Sequence, residues 1–320
     1  MRCHFLCSGH VIHGVLLAVM VALGLGLGFE AAVKAQESHH VGRVKIMAYN
    51  VANMFDVFDD PYTNDEGAKV KSRSAIEKIA RMVRHVDADV VAFSEIENEG
   101  ILRAMVHEFL PGAGYKDVAV MATNSSRDIN LGVISRLPIK SLTSHRFARL
   151  ILPDAPRTWR FARDLLRVRV VMESDQLLDI YVAHFKSKHD SLDDPNSTKW
   201  RLAEAIATGE IIAETRRRNP DVSAVLVGDL NDTPDSAVLR AIHDSGLVDV
   251  HSHLHEDHRV AYLRHPYRST IDYILADQQM ARRLVPGSAL VPHDEELISG
   301  SDHAPVVAAF TLRRQHGFSK

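Results

Sequence analysis

The sequence predicts an α/β protein, and three observations carry that expectation. Short apolar runs ending in polar residues, such as Val225-Leu-Val-Gly-Asp-Leu-Asn-Asp232, alternate with segments of helical periodicity towards both ends of the chain. Between them, residues 115–183 read as strand after strand separated by turn signals. The composition, 46% apolar and 25% charged over 320 residues, suffices for one large domain or two ordinary ones and excludes a disordered chain.

Residues 1–35 are expected to be a secretory signal. Arg2 is the only early charge, Val11 to Phe29 is apolar apart from His13, and Val33 and Ala35 suit a cleavage point after Ala35. The competing expectation is an uncleaved membrane anchor, since about 18 apolar residues approaches the length that spans a bilayer. Both readings place the remainder outside the cytoplasm, secreted or periplasmic. Cys3 and Cys7 both fall within this segment, leaving no thiol for a disulfide or a thiolate metal site. Loss of Arg2, Lys34 and Glu30 with it takes the formal charge from −3 to −4, which excludes the strongly basic balance of a dedicated nucleic-acid binder.

Val44 to Tyr49 reads as the first strand, with Asn50 at its exit. The acid-rich stretch 56–67 lacks calcium-loop spacing and is expected to be a solvated loop. Ser72 to His85 predicts a helix with Ile76, Ile79, Ala80 and Val83 on one face. Asp89 to Phe93 is a buried strand delivering Glu95 and Glu97, and Asn98 to Phe109 is a helix whose dipole Glu97 suits. Strands follow at Tyr115–Met121, Ile129–Ser135, Ile139–Phe147, Arg160–Met172 and Leu177–Ala183, expected to pair antiparallel as a meander. Lys199 to Arg218 predicts a helix with Leu202, Ile206, Ile211 and Ile212 inward, ended by Pro220.

The run from Val225 predicts a strand buried on both faces, with Asp229 and Asn231 at its carboxyl end. The missing side chain of Gly228 is expected to let substrate or metal approach the backbone there. Of six histidines in 243–265, His251, His253 and His255 alternate and could share one strand face. An exposed loop is the favoured reading, because nothing nearby completes a metal site. Ser269 to Leu275 predicts a strand with Asp272 in its interior, and a turn bearing Asp302 and His303 leads into the last strand, Val306 to Leu312.

Polar side chains therefore gather at strand ends, where α/β proteins build sites. Asn50, Glu95, His184, Asp229, Asn231, Asp272, Asp302 and His303 would share one rim. Asp272, an acid inside an apolar strand, needs a partner, most cheaply a histidine. Oxygen donors without thiols suit Mg²⁺ or Mn²⁺, with Ca²⁺ also compatible, and so many acids in one cleft need a cation. Such an ion polarising a phosphoryl oxygen, beside a positioned base for water, is the chemistry of phosphoester hydrolysis. His184 followed by Lys186 and Lys188 suits phosphate. Composition alone leaves a sugar-binding or purely structural rim open.

Six motifs resemble those of the endonuclease/exonuclease/phosphatase superfamily, which includes deoxyribonuclease I, abasic endonucleases, neutral sphingomyelinases and inositol polyphosphate 5-phosphatases. They are Tyr49-Asn-Val51, Phe93-Ser-Glu95, His184-Phe-Lys-Ser187, Gly228-Asp-Leu-Asn231, Ile271-Asp-Tyr273 and Ser301-Asp-His303, in the family's order across residues 44–312. Tyr49-Asn-Val-Ala-Asn-Met-Phe-Asp56 is most similar to the opening motif of secreted bacterial members.

The resemblance implies a four-layer α/β sandwich, two mixed sheets face to face with helices outside, formed by residues 36–320 as one domain. It implies a metal held by Glu95 with Asn50 and Asp302, and water oriented or deprotonated by Asp229 with Asn231. His303, held by Asp272, would bind the scissile phosphate, which Asn50 would also contact. A second assignment gives His303 the water and leaves Asp229 as ligand or acid, and both stay open. His184 would contact phosphate or protonate the leaving oxygen, and Arg163 and Lys186 would bind phosphate. Two residues depart from the family pattern: Ser94 replaces the usual Gln before the metal-binding Glu, and Thr270 the usual Arg before the Asp272 motif.

The function so implied is divalent-metal-dependent phosphodiester hydrolysis by a secreted or periplasmic nuclease. The alternatives are a phosphomonoesterase, a phospholipid or inositol-phosphate phosphoesterase, or a non-catalytic binding module. The expected partner is a phosphodiester, nucleic acid foremost, with no stable protein partner, and a membrane only if the N-terminal segment is uncleaved.

Overall fold

In the computed structural model, residues 42–312 are described apart from positions 59, 65, 66, 153, 154 and 156. The expected signal segment, residues 1–35, lies outside the described residues. The chain opens with β1 (Arg43–Met54), α1 (Arg73–Val86), β2 (Val90–Ile96), α2 (Glu99–Phe109), β3 (Asp117–Met121) and β4 (Asn130–Ser135). Ser72 and Asn98 cap the two helices, each side chain accepting a backbone N–H three residues on. There follow β5 (Ile139–Ser144), β6 (Leu150–Ile151), β7 (Thr158–Trp159), β8 (Leu165–Val171) and β9 (Leu177–His184). The last part holds α3 (Thr198–Arg218), β10 (Ser223–Asp229), α4 (Ala237–Asp244), β11 (Val248–Asp249), β12 (Asp272–Ala276), α5 (Gln278–Ala281), α6 (Glu295–Ile298) and β13 (Val306–Thr311).

The strands form two mixed sheets, β13-β1-β2-β4-β3 and β11-β12-β10-β9-β8-β5, each with one parallel pair, β1/β2 and β9/β10. Their inner faces share one apolar core that includes Ile46, Ala48, Val90 and Val133 from the first and Val168, Ile180, Val225 and Ile274 from the second. The first sheet's outer face packs on α1 and α2 through Met47, Val91 and Phe93, and the second's on α3 and α4 through Tyr181, Leu226 and Leu275. This is the four-layer α/β sandwich expected, with strands alternating between two apolar environments rather than between apolar and wet.

Three expectations change. The antiparallel meander is real in its pairings, β3/β4, β5/β8 and β8/β9, but it changes sheet between β4 and β5, at Leu137-Pro138. α3 does not bury Leu202 and Ile206 fully; its buried face carries Arg201, Ala203, Glu204, Ala207, Thr208 and Ile212. Gly228 is required by its neighbour strand and not by a ligand: its φ is +122° and an added Cβ would lie 2.2 Å from the Ala183 carbonyl oxygen.

Gly228→Ala should accordingly destabilise the fold by about 3 kcal/mol or more, since left-handed strain and a backbone clash act together. Urea unfolding at neutral pH measures it, and a change below about 1 kcal/mol contradicts this packing.

Candidate active site

The alternation that fills the core also delivers the site. Along β10, Val225 and Val227 face the core between the sheets while Ala224 and Leu226 face the helices, so Asp229 falls on the core side. The same parity directs His184 of β9, Asp272 of β12 and Asn50 of β1 inward. His184 is registered opposite Asp229, and Asp229 opposite Asp272, making one row across the second sheet. From the first sheet, Asn50 Nδ2 donates to Asp229 Oδ2 at 3.1 Å and to Glu95 Oε1 at 3.4 Å.

Glu95 reaches the site by breaking parity. On a regular β2 it would join Val91 and Phe93 on the helix side, but the strand shifts register against both neighbours there and Glu95 takes φ +68°. A left-handed non-glycine residue costs on the order of 1 kcal/mol. Opposite it, Ala52 and Asn53 are left-handed too. The Asn53 N–H donates to Glu95 Oε2 at 2.8 Å, the Ala52 N–H donates to Asn50 Oδ1 at 3.0 Å, and the Lys71 ammonium binds the Val51 and Ala52 carbonyls at 2.8 and 2.9 Å.

His303 comes from the turn before β13. Its Nδ1–H donates to Asp272 Oδ2 at 2.8 Å, its Nε2 lies 3.9 Å from Asp302 Oδ1, and the Tyr262 ring lies 5.0 Å away. The Ser301 hydroxyl donates to the Asn50 carbonyl at 2.8 Å and accepts the His303 N–H at 3.1 Å, tying that turn to β1. Asn231 closes the β10 turn: its N–H donates to Asp229 Oδ1 at 2.8 Å and its side chain to the Phe185 carbonyl at 3.0 Å, which Arg163 also meets at 3.1 Å.

These groups line a cleft of about 860 Å³ with Arg127, Arg163, Lys188, Arg264 and Arg268 on its walls. Asn50, Glu95, Arg163, His184, Asp229, Asn231, Asp302 and His303 all line it, and Asp272 stands behind His303. Lys186 is not brought there. Its ammonium binds the His189 carbonyl and lies over the Trp200 ring of α3, because β9 ends at His184 and strand alternation no longer aims the residues beyond it, and Lys188 lines the cleft instead. Sequence reasoning also missed Asn53, Arg127 and Tyr262, of which only Asn53 lay in a quoted motif. The alternating histidines share no face: His251 is buried and donates to the Val307 carbonyl, while His253 and His255 are exposed.

Burial and the nearby Asp272 carboxylate push Asp229 well above the ordinary carboxylate range. Burial works against charge on His303, but Asp272, through its field and its hydrogen bond, and then the Asp229 and Asp302 carboxylates carry the imidazole up to about 10. His184 moves the other way: burial, then the Arg163 charge, holds it well below its usual value, so it is neutral at pH 7.

The donor set fits a hard divalent cation. Glu95 Oε1 and Asp229 Oδ2 converge on one amide and on one imidazole nitrogen, His184 Nε2, at 3.9 and 3.7 Å, and an ion would relieve the crowding of acids. Asp229, Asp272 and His303 also offer ligand atoms within 4.8 Å of one another, but the Asp272–His303 hydrogen bond already occupies two of these groups.

A family model described as Endonuclease/Exonuclease/phosphatase family matches residues 45–255. No curated protein matches the chain in sequence. Among solved structures, the chain is similar to the human Nocturnin catalytic domain with bound sulfate anion, at 15% identity and TM-score 0.63, over 85% of this chain and 95% of that one. It is also similar to D. rerio TDP2 complexed with single strand DNA product, at 18% identity and TM-score 0.57, over 84% and 99%. A third similar structure is an endonuclease/exonuclease/phosphatase family protein from Leptotrichia buccalis, at 17% identity and TM-score 0.57, over 84% and 100%.

Because the fold raises the His303 pKa above 6.5, its contribution to stability is complete below about pH 6.5 and is lost as pH rises through about 10. In protein without added divalent ion, histidine NMR should show His303 still protonated at pH 8. Asp272→Asn should return it towards 6.5 and flatten the loss of stability between pH 7 and 10. An imidazole that titrates near 6.5 in the wild type contradicts this geometry.

Proposed function

The chain belongs to the endonuclease/exonuclease/phosphatase family, whose members hydrolyse phosphoesters, and from that premise we propose that it is a divalent-metal-dependent phosphodiesterase acting on nucleic acid. The observation that carries the reading is the convergence of Asn50, Glu95, His184 and Asp229 at one cleft, directly beside the Asp272–His303 pair. Glu95 and Asp302 would hold Mg²⁺ or Mn²⁺, while Asn50, its NH₂ on the Glu95 and Asp229 carboxylates and its Oδ1 on the Ala52 N–H, would orient Glu95 rather than ligate the ion. Bound there, the ion supplies polarisation of the phosphoryl oxygen and neutralises charge developing on it.

Asp229, with its raised pKa and the Asn231 N–H on its other oxygen, orients the attacking water and accepts its proton near neutral pH. His303, kept positive by Asp272, binds the scissile phosphate and stabilises the developing negative charge, a role a protonated imidazole fills better than that of base. The neutral His184 is a phosphate contact rather than a strong acid. Arg127, Arg264 and Arg268 suit flanking phosphates and Arg163, beside His184 and Asn231, the scissile one, while Tyr262 with the exposed Tyr267 offers faces for bases, which favours an extended nucleic acid over a small monoester. An activity exported from the cytoplasm is the reading that the N-terminal apolar segment of the sequence supports.

Incubation of the purified protein with plasmid DNA, RNA, small diesters and small monoesters, with and without Mg²⁺ or Mn²⁺, tests the proposal. Nucleic-acid cleavage should need the ion and fall at least about 100-fold in Asp229→Asn and in His303→Ala. Intact nucleic acid with phosphate released from monoesters, or activity that resists a chelator, overturns it.

A further inference from the structure

The helix α3 carries two charged side chains, Arg201 and Glu204, one turn apart on its buried face, at 2% and 0% exposure. Burying a carboxylate and a guanidinium against a sheet is costly unless every polar atom is engaged. Here most of the engagements are with residues that adjoin those lining the cleft. Glu204 Oε1 accepts the Ala162 N–H and Oε2 the Lys186 N–H, each at 2.7 Å. The first amide immediately precedes Arg163, and the second lies two residues past His184. Arg201 takes the other side of the same peptide segment, donating to the Lys186 carbonyl at 3.3 Å and the Asn196 carbonyl at 2.6 Å, while its Nε donates to Asp232 Oδ2 at 3.0 Å. Asp232 directly follows Asn231.

Residue 186 is therefore held at its N–H by Glu204 and at its C=O by Arg201, and the neighbouring Phe185 carbonyl is the one that Arg163 and Asn231 share. Neither charge pairs with the other: Arg201 meets Asp232 and Glu204 takes two backbone N–H groups, so both are spent on the segments beyond the strand ends. Packing agrees with a fixed helix: a Cβ at Gly209 would lie 2.6 Å from Ser245 Cβ, so α3 and α4 are pressed together just beyond the charged turn.

We propose that Arg201 and Glu204 are positioning residues that set the placement of Arg163, His184 and Asn231 around the scissile phosphate, making α3 the rigid back wall of the phosphate site. This rests on the phosphodiesterase reading of that site. The test is a double-mutant cycle of Glu204→Gln with Arg163→Ala in the full chain, read by kcat and KM on a small phosphodiester with Mg²⁺, by calorimetric binding of inorganic phosphate, and by Tm.

Gln keeps one acceptor but sets an NH₂ against the other backbone N–H. Glu204→Gln should lower kcat by about 10-fold and weaken phosphate binding several-fold, and the further loss should shrink to about 2-fold or less when Arg163 is already Ala. Should Glu204→Gln fail to fold, Arg201→Lys keeps the charge but cannot span all three acceptors, and below its own lowered Tm it should show the same loss and the same dependence on Arg163. Equal losses in both Arg163 backgrounds, wild-type values in the folded variants, or no phosphate binding by the wild type overturn the proposal. A wild type that cleaves no diester yet binds phosphate with the predicted coupling overturns the phosphodiesterase reading and leaves the positioning role supported.

Discussion

The side-chain amide of Asn50 is the interaction on which the site depends. It comes from one sheet, stands 2% exposed at the rim where the two sheets meet, and donates to carboxylates from both, Asp229 and Glu95. Two carboxylates that point at one amide repel each other, so a shared donor is the least demanding way to keep them aimed there. An amide can do this at any pH, whereas a lysine there would form a fixed ion pair and compete with a metal. The Asn50 side-chain oxygen takes the Ala52 N–H and its backbone carbonyl takes the Ser301 hydroxyl, so the same residue also fixes the β1 bend and the turn that carries His303.

The surrounding electrostatics divide the two candidate water-activating groups. Asp229 and His303 lie in one buried cluster with Asp272, but only His303 has a dedicated counter-charge in hydrogen-bond contact. That contact, together with the fields of Asp229 and Asp302, outweighs the desolvation that would otherwise strip the imidazole of its proton, while Asp229, hydrogen-bonded by neutral donors only, is left to rise. Pairs of titratable groups driven apart in this way separate a base from a charge stabiliser. His184, equally buried but lacking a carboxylate in hydrogen-bond contact and placed near Arg163, falls to the neutral side.

Left-handed backbone and buried ionisable side chains meet at this rim. The left-handed Ala52, Asn53, Glu95 and Asn231 all lie in the segments that shape it, and each is held by a hydrogen bond from or to a site residue or by a clamp such as Lys71. The apolar sandwich below supplies the rigidity that makes such conformations persist. α3 extends the arrangement outward, trading apolar surface for a carboxylate and a guanidinium that reach the loops from behind.

Local pattern determined much of this protein. Apolar runs with polar exits at Asn50, Glu95, His184 and Asp229 gave the strands and their order, and the lone acid of β12 demanded the partner found in His303. These were legible because strand alternation and the cost of an unpaired buried acid act over a few residues. Only the tertiary structure decided that the meander splits between sheets, that Lys188 rather than Lys186 meets the cleft, that Gly228 answers to the Ala183 carbonyl, and that α3 buries Arg201 and Glu204. Each of these depends on which distant segment lies alongside, and a helix with charged residues on its buried face is indistinguishable by period from one turned the other way until the loops it serves are in place.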